Sequence, residues 1–251
     1  MRRQAAALQN STIDSITRWT IIMAMWPSTQ DELISLQHRL SIVTPEPWDI
    51  PEILDAIAGC FICYPKQHEG PGAAGDPCWA AAATIQNGSL AALSRIRGKA
   101  PASYEPGLLA LREGPLLERV VRGLPELPQL LLVNATGRDH PRRAGLALHL
   151  GHQLSLPTVG VTRNPLIAKG EWPAEVSGAC APLRIEEEIV GYWLRVKTGK
   201  PPLAVHSGWR TSPETAVRLV MASLGRWRTP EPLRLARQAA REARAEDRPR
   251  G

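Results

Sequence analysis

The chain has 251 residues, 43% of them hydrophobic and 22% charged. That composition excludes a wholly disordered protein, and the length suffices to bury one large core. No apolar run approaches the ~20 residues that cross a bilayer, and the basic start is followed by mostly polar residues without a convincing cleavage site. With no secretory signal, the four cysteines point to a reducing compartment, the cytoplasm, rather than to a disulfide scaffold. The net charge is +6, and residues 226–251 carry +4 of it, with eight arginines against Glu231, Glu242, Glu246 and Asp247. A basic tail on a nearly balanced body suits a polyanionic partner. A solvated, salt-bridged helix, with Arg237, Arg241 and Arg244 on one face beside Glu242 and Glu246, is the plainer reading.

In chain order, residues 1–25 show no sustained periodicity and read as an N-terminal extension, either a disordered arm or a mis-assigned start. A helix begins after Pro27: Ser28 or Thr29 can cap it, Glu32 falls in its first turn, and Leu33, Leu36 and Leu40 recur at helical spacing. Pro45 and Pro47 end it. Residues 56–64, 79–86 and 89–97 read as three strands. Asn87-Gly88 between the last two is a tight hairpin turn, and the glycine-rich stretch 66–77 is a long loop. Residues 113–124 are helical, starting at Glu113. Residues 130–133 form a wholly apolar strand, as expected when both faces are buried. A helix over 144–154, strands over 158–161, 188–197 and 203–206, and a helix over 212–224 follow. Pro230 and Pro232 precede the basic terminal helix. The expected fold is α/β: a mixed sheet of three antiparallel strands followed by parallel strands, with flanking helices. The main domain spans 26–226, and 227–251 form a basic C-terminal helix and tail.

Cys60 and Cys63 have the spacing of a redox or zinc pair, but positions three apart on a strand face opposite ways. Cys78 and Cys180 stand alone, so buried small residues are the better reading. His149 and His152 lie one helical turn apart, which is weak evidence for a metal.

Two segments are more informative. One is Tyr104-Glu105-Pro106-Gly107 running on to Arg112-Glu113-Gly114-Pro115. The other is Leu131-Leu132-Val133-Asn134-Ala135-Thr136-Gly137-Arg138-Asp139-His140-Pro141-Arg142-Arg143, followed by Gly145-Leu146-Ala147-Leu148-His149-Leu150-Gly151. A buried strand that stops at a polar residue and turns through glycine into a basic loop marks the carboxyl edge of a sheet, where sites gather. Both segments, together with Leu156-Pro157-Thr158-Val159-Gly160-Val161, Gly208 with Arg210, and Pro230-Glu231-Pro232-Leu233-Arg234-Leu235-Ala236, closely resemble the endonuclease V family over residues 26–240. The resemblance implies a ribonuclease-H-like fold. It also implies a nuclease dependent on Mg²⁺ or Mn²⁺ that cuts near deaminated bases, mainly inosine in DNA or RNA, in nucleic-acid repair.

The catalytic positions depart from the family pattern. The aspartate of its first strand corresponds to Phe61, and the aspartate ending its next catalytic strand corresponds to Asn134. The lysine after the Gly-Val strand is Arg163, and the histidine of the last motif is Trp209. Tyr104, Glu113, His140 and His149 remain. Mg²⁺ demands hard oxygen ligands, usually with one or two carboxylates, and two formal negative charges are gone. Asp139 could compensate, since it directly precedes His140. Tyr104, with Pro106 and Gly107, corresponds to the family's wedge, and a wedge needs no metal. Arg138, Arg142 and Arg143 are candidate phosphate contacts. The expected protein is a monomer, off the membrane, whose partner is DNA or RNA, deaminated or single-stranded. Its cleavage is weakened or lost, and it needs no cofactor if the metal site is lost. A working nuclease with a remodelled site of Glu113, Asp139, His140 and Asn134 competes with a pseudoenzyme that only binds nucleic acid or a protein partner. Either way, Phe61 is expected beside Asn134.

Overall fold

The computed structural model describes residues 26–66 and 70–247. The N-terminal extension and the last residues of the basic tail lie outside that range. Helix α1 (Gln30–Ile42) starts at Thr29 in a capping box: the Thr29 side chain accepts from the Glu32 backbone, and the Glu32 carboxylate accepts from the cap backbone. Strands β1 (Ile57–Cys63), β2 (Pro77–Gln86) and β3 (Ser89–Lys99) form an antiparallel meander. Asn87 and Gly88 adopt φ values of 50° and 73°, as the tight β2–β3 turn requires.

Helix α2 (Leu109–Arg122), strand β4 (Leu130–Val133), helix α3 (Leu146–Leu154) and strand β5 (Thr158–Thr162) follow. Then come β6 (Cys180–Ile185), β7 (Glu188–Leu194), β8 (Leu203–Ser207), α4 (Pro213–Ala222) and α5 (Glu231–Glu246). The eight strands make one sheet in the order β3-β2-β1-β4-β5-β8-β7-β6. Pairing is parallel from β1 through β4 to β5, and antiparallel again from β5 through β8 and β7 to β6.

The mixed α/β sheet is therefore as expected, but its parallel part is short. The far half is an antiparallel meander whose edge strand, β6, the sequence pattern did not reveal. Its residues alternate poorly and include Pro182, which edge strands tolerate. Helix α2 also begins a turn earlier than the Gly-Pro signal suggested. Its N-cap, Leu108, makes no side-chain capping bond, and Pro115 lies inside the helix rather than in its first turn.

Helices α1, α2 and α3 bury Leu33, Leu116, Leu117, Val120 and Leu150 on one face, against Ala58, Cys60, Ala82 and Leu131 of the strands. Helices α4 and α5 cover the other, with Leu219, Val220 and Leu233 against Leu132 and Val205, and Ala239 and Ala240 against Cys63 and Ala81. Cys60 and Cys63 thus join opposite cores. The basic C-terminal helix is a layer of the fold rather than a solvated appendage. No helix among the described residues is long and apolar enough to cross a membrane.

Gly59 explains how α5 reaches the sheet. A Cβ there would lie 2.5 Å from the backbone of Pro232 and Leu233, so only glycine admits the start of the helix. Four helical residues advance the chain about 6 Å, and two strand residues about 6.6 Å. With Leu233 at Gly59, Arg237 therefore arrives over Phe61.

Candidate nucleic-acid interface

Strands β1, β4 and β5 end side by side, with Cys60 opposite Val133 and Val133 opposite Gly160. The next residues along, Phe61 and Asn134, fall at the same edge. Arg237 joins them. Its guanidinium carbon lies 5.1 Å from the Phe61 ring centroid, and its Nη2 donates to Asn134 Oδ1 at 3.3 Å. Burial, then the nearby charges of Arg241 and Arg163, push the Arg237 pKa down. Nothing in the sequence singled out Arg237 from the other terminal arginines.

Beside this edge a cavity of about 190 Å³ opens, lined by Tyr104, Gly107, Ala110, Asn134, Thr136, His140, Leu146 and Thr162 among others. Its walls are mostly apolar. Tyr104 is 43% exposed at the rim, and its backbone N–H donates to Gly72 O at 2.9 Å. The Gly107 carbonyl, at φ +78°, holds the Tyr-x-Pro-Gly loop in place. It accepts from Gln37 Nε2 (3.1 Å), His140 Nε2 (3.0 Å) and Arg142 Nη2 (2.9 Å). Arg142 Nε also donates to Gln37 Oε1 at 2.6 Å. Gln37 was missed, although a polar residue amid the apolar spacing of α1 was a usable signal.

Several predicted residues therefore have structural work. The imidazole of His140 is buried, and burial lowers its pKa to about 4, so it is a neutral donor to Gly107. Arg138 was expected on phosphate, but it caps α1, donating to Leu40 O, Ser41 O and Val43 O at 3.3, 3.0 and 2.8 Å. Arg142 is committed to the Gly107 clamp. Arg143 sits at φ +52° and pairs with Glu188 at 3.5 Å.

Asp139, expected as a replacement metal ligand, is fully buried and faces another way. Its oxygens accept from the backbone N–H groups of Leu166 (2.6 Å), Ile167 (2.9 Å) and Ala168 (2.8 Å). His206 Nδ1 lies 3.5 Å from its Oδ2, and His206 Nε2 lies 2.8 Å from Thr162 Oγ1. Asp139 thus fastens the loop after β5 that carries Leu166 to the pocket wall.

Glu113 lies in the second turn of α2. Burial raises its pKa to about 7, opposed by the Arg112 charge. Arg112 itself pairs with Asp76 at 2.7 Å and donates to Ala73 O and Ala102 O, both at 2.8 Å, tying two loops together. Arg163 is exposed just beyond β5. Trp209 lies against α3, edge-on to His152 at 5.0 Å.

The side chains do not suit a divalent ion. Phe61 offers no ligand atom, and the Asn134 oxygen already accepts from a cation. Glu113 is a single carboxylate, and among the described residues no three His, Cys, Asp or Glu side chains converge on one point.

His149 is fully buried with neither ring nitrogen bonded, stacked on Trp26 at 4.9 Å. Burial holds its pKa down at about 3. The unfolded imidazole gains its proton near pH 6.5 while the folded one stays neutral, so this group costs stability as pH falls from 6.5 toward 3. His149→Phe should leave stability at pH 7.5 nearly unchanged and raise the melting temperature at pH 5. Parallel thermal melts at the two pH values check this.

A family model described as Endonuclease V matches residues 37–238. That match covers most of the chain. The chain belongs to the endonuclease V family. An endonuclease V from Methanopyrus kandleri is 38% identical over 214 residues, covering 83% of this chain and 86% of that one. The crystal structure of the endonuclease V from Streptomyces avermitilis superposes with a TM-score of 0.77 at 32% identity, over 88% of this chain and 95% of that one. The endonuclease V of Ciona intestinalis, solved with a 24mer DNA containing an inosine, has the same fold at 20% identity, with a TM-score of 0.72 over 87% of this chain and 98% of that one. The mixed sheet is therefore the endonuclease V, ribonuclease-H-like fold.

Proposed function

We propose that this endonuclease V family member binds deaminated, inosine-containing DNA or RNA, and that metal-dependent cleavage is weakened or lost. The observation that carries the reading is a contrast at one sheet edge. The apolar cavity and its exposed rim tyrosine are intact, while the neighbouring carboxylate positions hold Phe61 and Asn134 with an arginine between them. A cavity of this size suits a single flat base taken out of the stack, and Tyr104 is placed to fill the gap left behind. The Ciona intestinalis protein, held on an inosine-containing DNA, supports the choice of ligand. Catalysis needs an ion that polarises phosphate and activates water, and Glu113 as the single remaining carboxylate is a poor holder for it.

The test compares binding of matched single strands, one with inosine and one with adenosine, by fluorescence anisotropy. The wild type should prefer inosine. Tyr104→Ala should lose roughly 1–3 kcal/mol of binding, mostly from the inosine strand, because base stacking is worth about that much. Equal binding of both strands by the wild type would sink the base-pocket reading. Absence of any binding would favour a protein–protein role on an inherited scaffold.

A further inference from the structure

The arginines expected to meet phosphate turn inward, which leaves the polyanion contacts to be found elsewhere. Among the described residues, Arg163, Arg237 and Arg241 form no ion pair. Arg241 lies one helical turn beyond Arg237 on α5, and Arg163 directly follows β5, whose Gly160 pairs with Val133 just before Asn134. Next to Phe61, an open cavity is lined by Cys63, Lys66, Arg241 and Arg244. Arg244 donates to Tyr64 O at 2.8 Å. Among the described residues, no carboxylate lines that cavity.

We propose that the guanidinium of Arg237, flanked by Arg163 and Arg241, stands in for the divalent ion of the family and receives a backbone phosphate of the bound strand. This rests on the nucleic-acid reading above and names the group that meets the charge.

The residues around Arg237 hold it without neutralising it. Phe61 offers a π face and Asn134 a neutral carbonyl, whereas an aspartate at either place would form an ion pair and cancel the charge. Phe61 and Asn134 therefore act together: each removes a negative charge and each supports the arginine. Among the described residues the half-buried Arg237 makes one side-chain hydrogen bond, from Nη2 to Asn134, so the remaining terminal N–H groups of the fork are not committed to the protein. A planar guanidinium binds phosphate by paired hydrogen bonds and needs no metal to bridge them. The approach of α5 at Gly59 fixes its position, so the cation is part of the fold.

The experiment uses the full chain and labelled inosine and adenosine single strands, with anisotropy read in EDTA, Mg²⁺ and Mn²⁺ across a salt series. Wild-type affinity should differ by less than about twofold among the three conditions, since no counterion must be supplied. Arg237→Gln should weaken binding of both strands by roughly tenfold and flatten the log–log salt slope by about 1. Arg163→Gln, at an exposed position, should weaken binding in the same way without changing the melting temperature, which guards against misfolding of the first variant. Inorganic phosphate at millimolar concentration should compete weakly compared with an unlabelled strand, separating a backbone phosphate from a free one. Mn²⁺ strengthening wild-type binding roughly tenfold would overturn the proposal, as would wild-type affinity in both Arg237→Gln and Arg163→Gln. Loss of inosine preference in the wild type, with the Arg237 effect intact, would remove the base-pocket reading and leave this inference standing.

Discussion

A variant carrying Phe61→Asp, Asn134→Asp and Arg237→Ala should bind Mn²⁺ and nick an inosine-containing strand roughly a hundredfold faster than the wild type, because a catalytic ion is worth several kcal/mol at the transition state. Phe61 and Asn134 directly follow the paired residues Cys60 and Val133 on parallel neighbours, so the two new carboxylates would share one edge. Arg237 must go as well, since its Nη2 lies 3.3 Å from the Asn134 oxygen and would pair with the new charge. Asn134 is exposed, which makes its change mild. Losing the half-buried Phe61 ring costs about 2 kcal/mol of apolar burial. Calorimetric titration with Mn²⁺ and a nicking assay read the gain, and Glu113→Ala in the same background should remove it. Robust Mg²⁺-dependent nicking by the wild type, abolished by Glu113→Ala, would refute this account of Phe61 and Asn134.

The second large effect concerns Asp139. Asp139→Ala should lower the unfolding free energy by about 3–5 kcal/mol, a large share of the 5–15 kcal/mol typical of a domain. The loss follows from three backbone N–H groups, at Leu166, Ile167 and Ala168, left without an acceptor. Asp139→Asn keeps one accepting oxygen and should cost less. Urea unfolding followed by circular dichroism gives the comparison. A metal-ligand role predicts the reverse pattern, with wild-type stability and altered activity alone, and a wild-type midpoint for Asp139→Ala would sink the loop-clamp assignment.

The legible parts of the fold are those whose cause is local. Thr29 and Glu32 announce the start of α1, Asn87-Gly88 announces a turn of positive φ, and the apolar run of β4 announces a strand buried on both faces. The start of α2 was misread because Leu108 carries no capping side chain and Pro115 sits where a first turn usually begins. Strand β6 was missed because an edge strand with Pro182 has little alternation to show. At the site, the motifs singled out the loops holding Tyr104, Asn134 and His140, all of which line the cavity. They did not separate Arg138, Arg142 and Arg143, which are tied to carbonyls and Glu188, from Arg163 and Arg241, which are not. Charge is visible along a chain, but the partner that consumes it is not.

By itself, the sequence determined the family and the class of fold, and it holds Phe61 and Asn134 where the resemblance leads one to expect aspartates. Those are properties of residue identity and short-range order. Only the tertiary structure decided that Arg237 meets both residues. Arg237 is over 170 residues from Phe61 in sequence, and it reaches the ring because Gly59 lacks a Cβ and lets α5 lie on the sheet. Likewise, Asp139 adjoins His140 in the chain but points at the loop after β5, where three backbone N–H groups find their acceptor in its carboxylate.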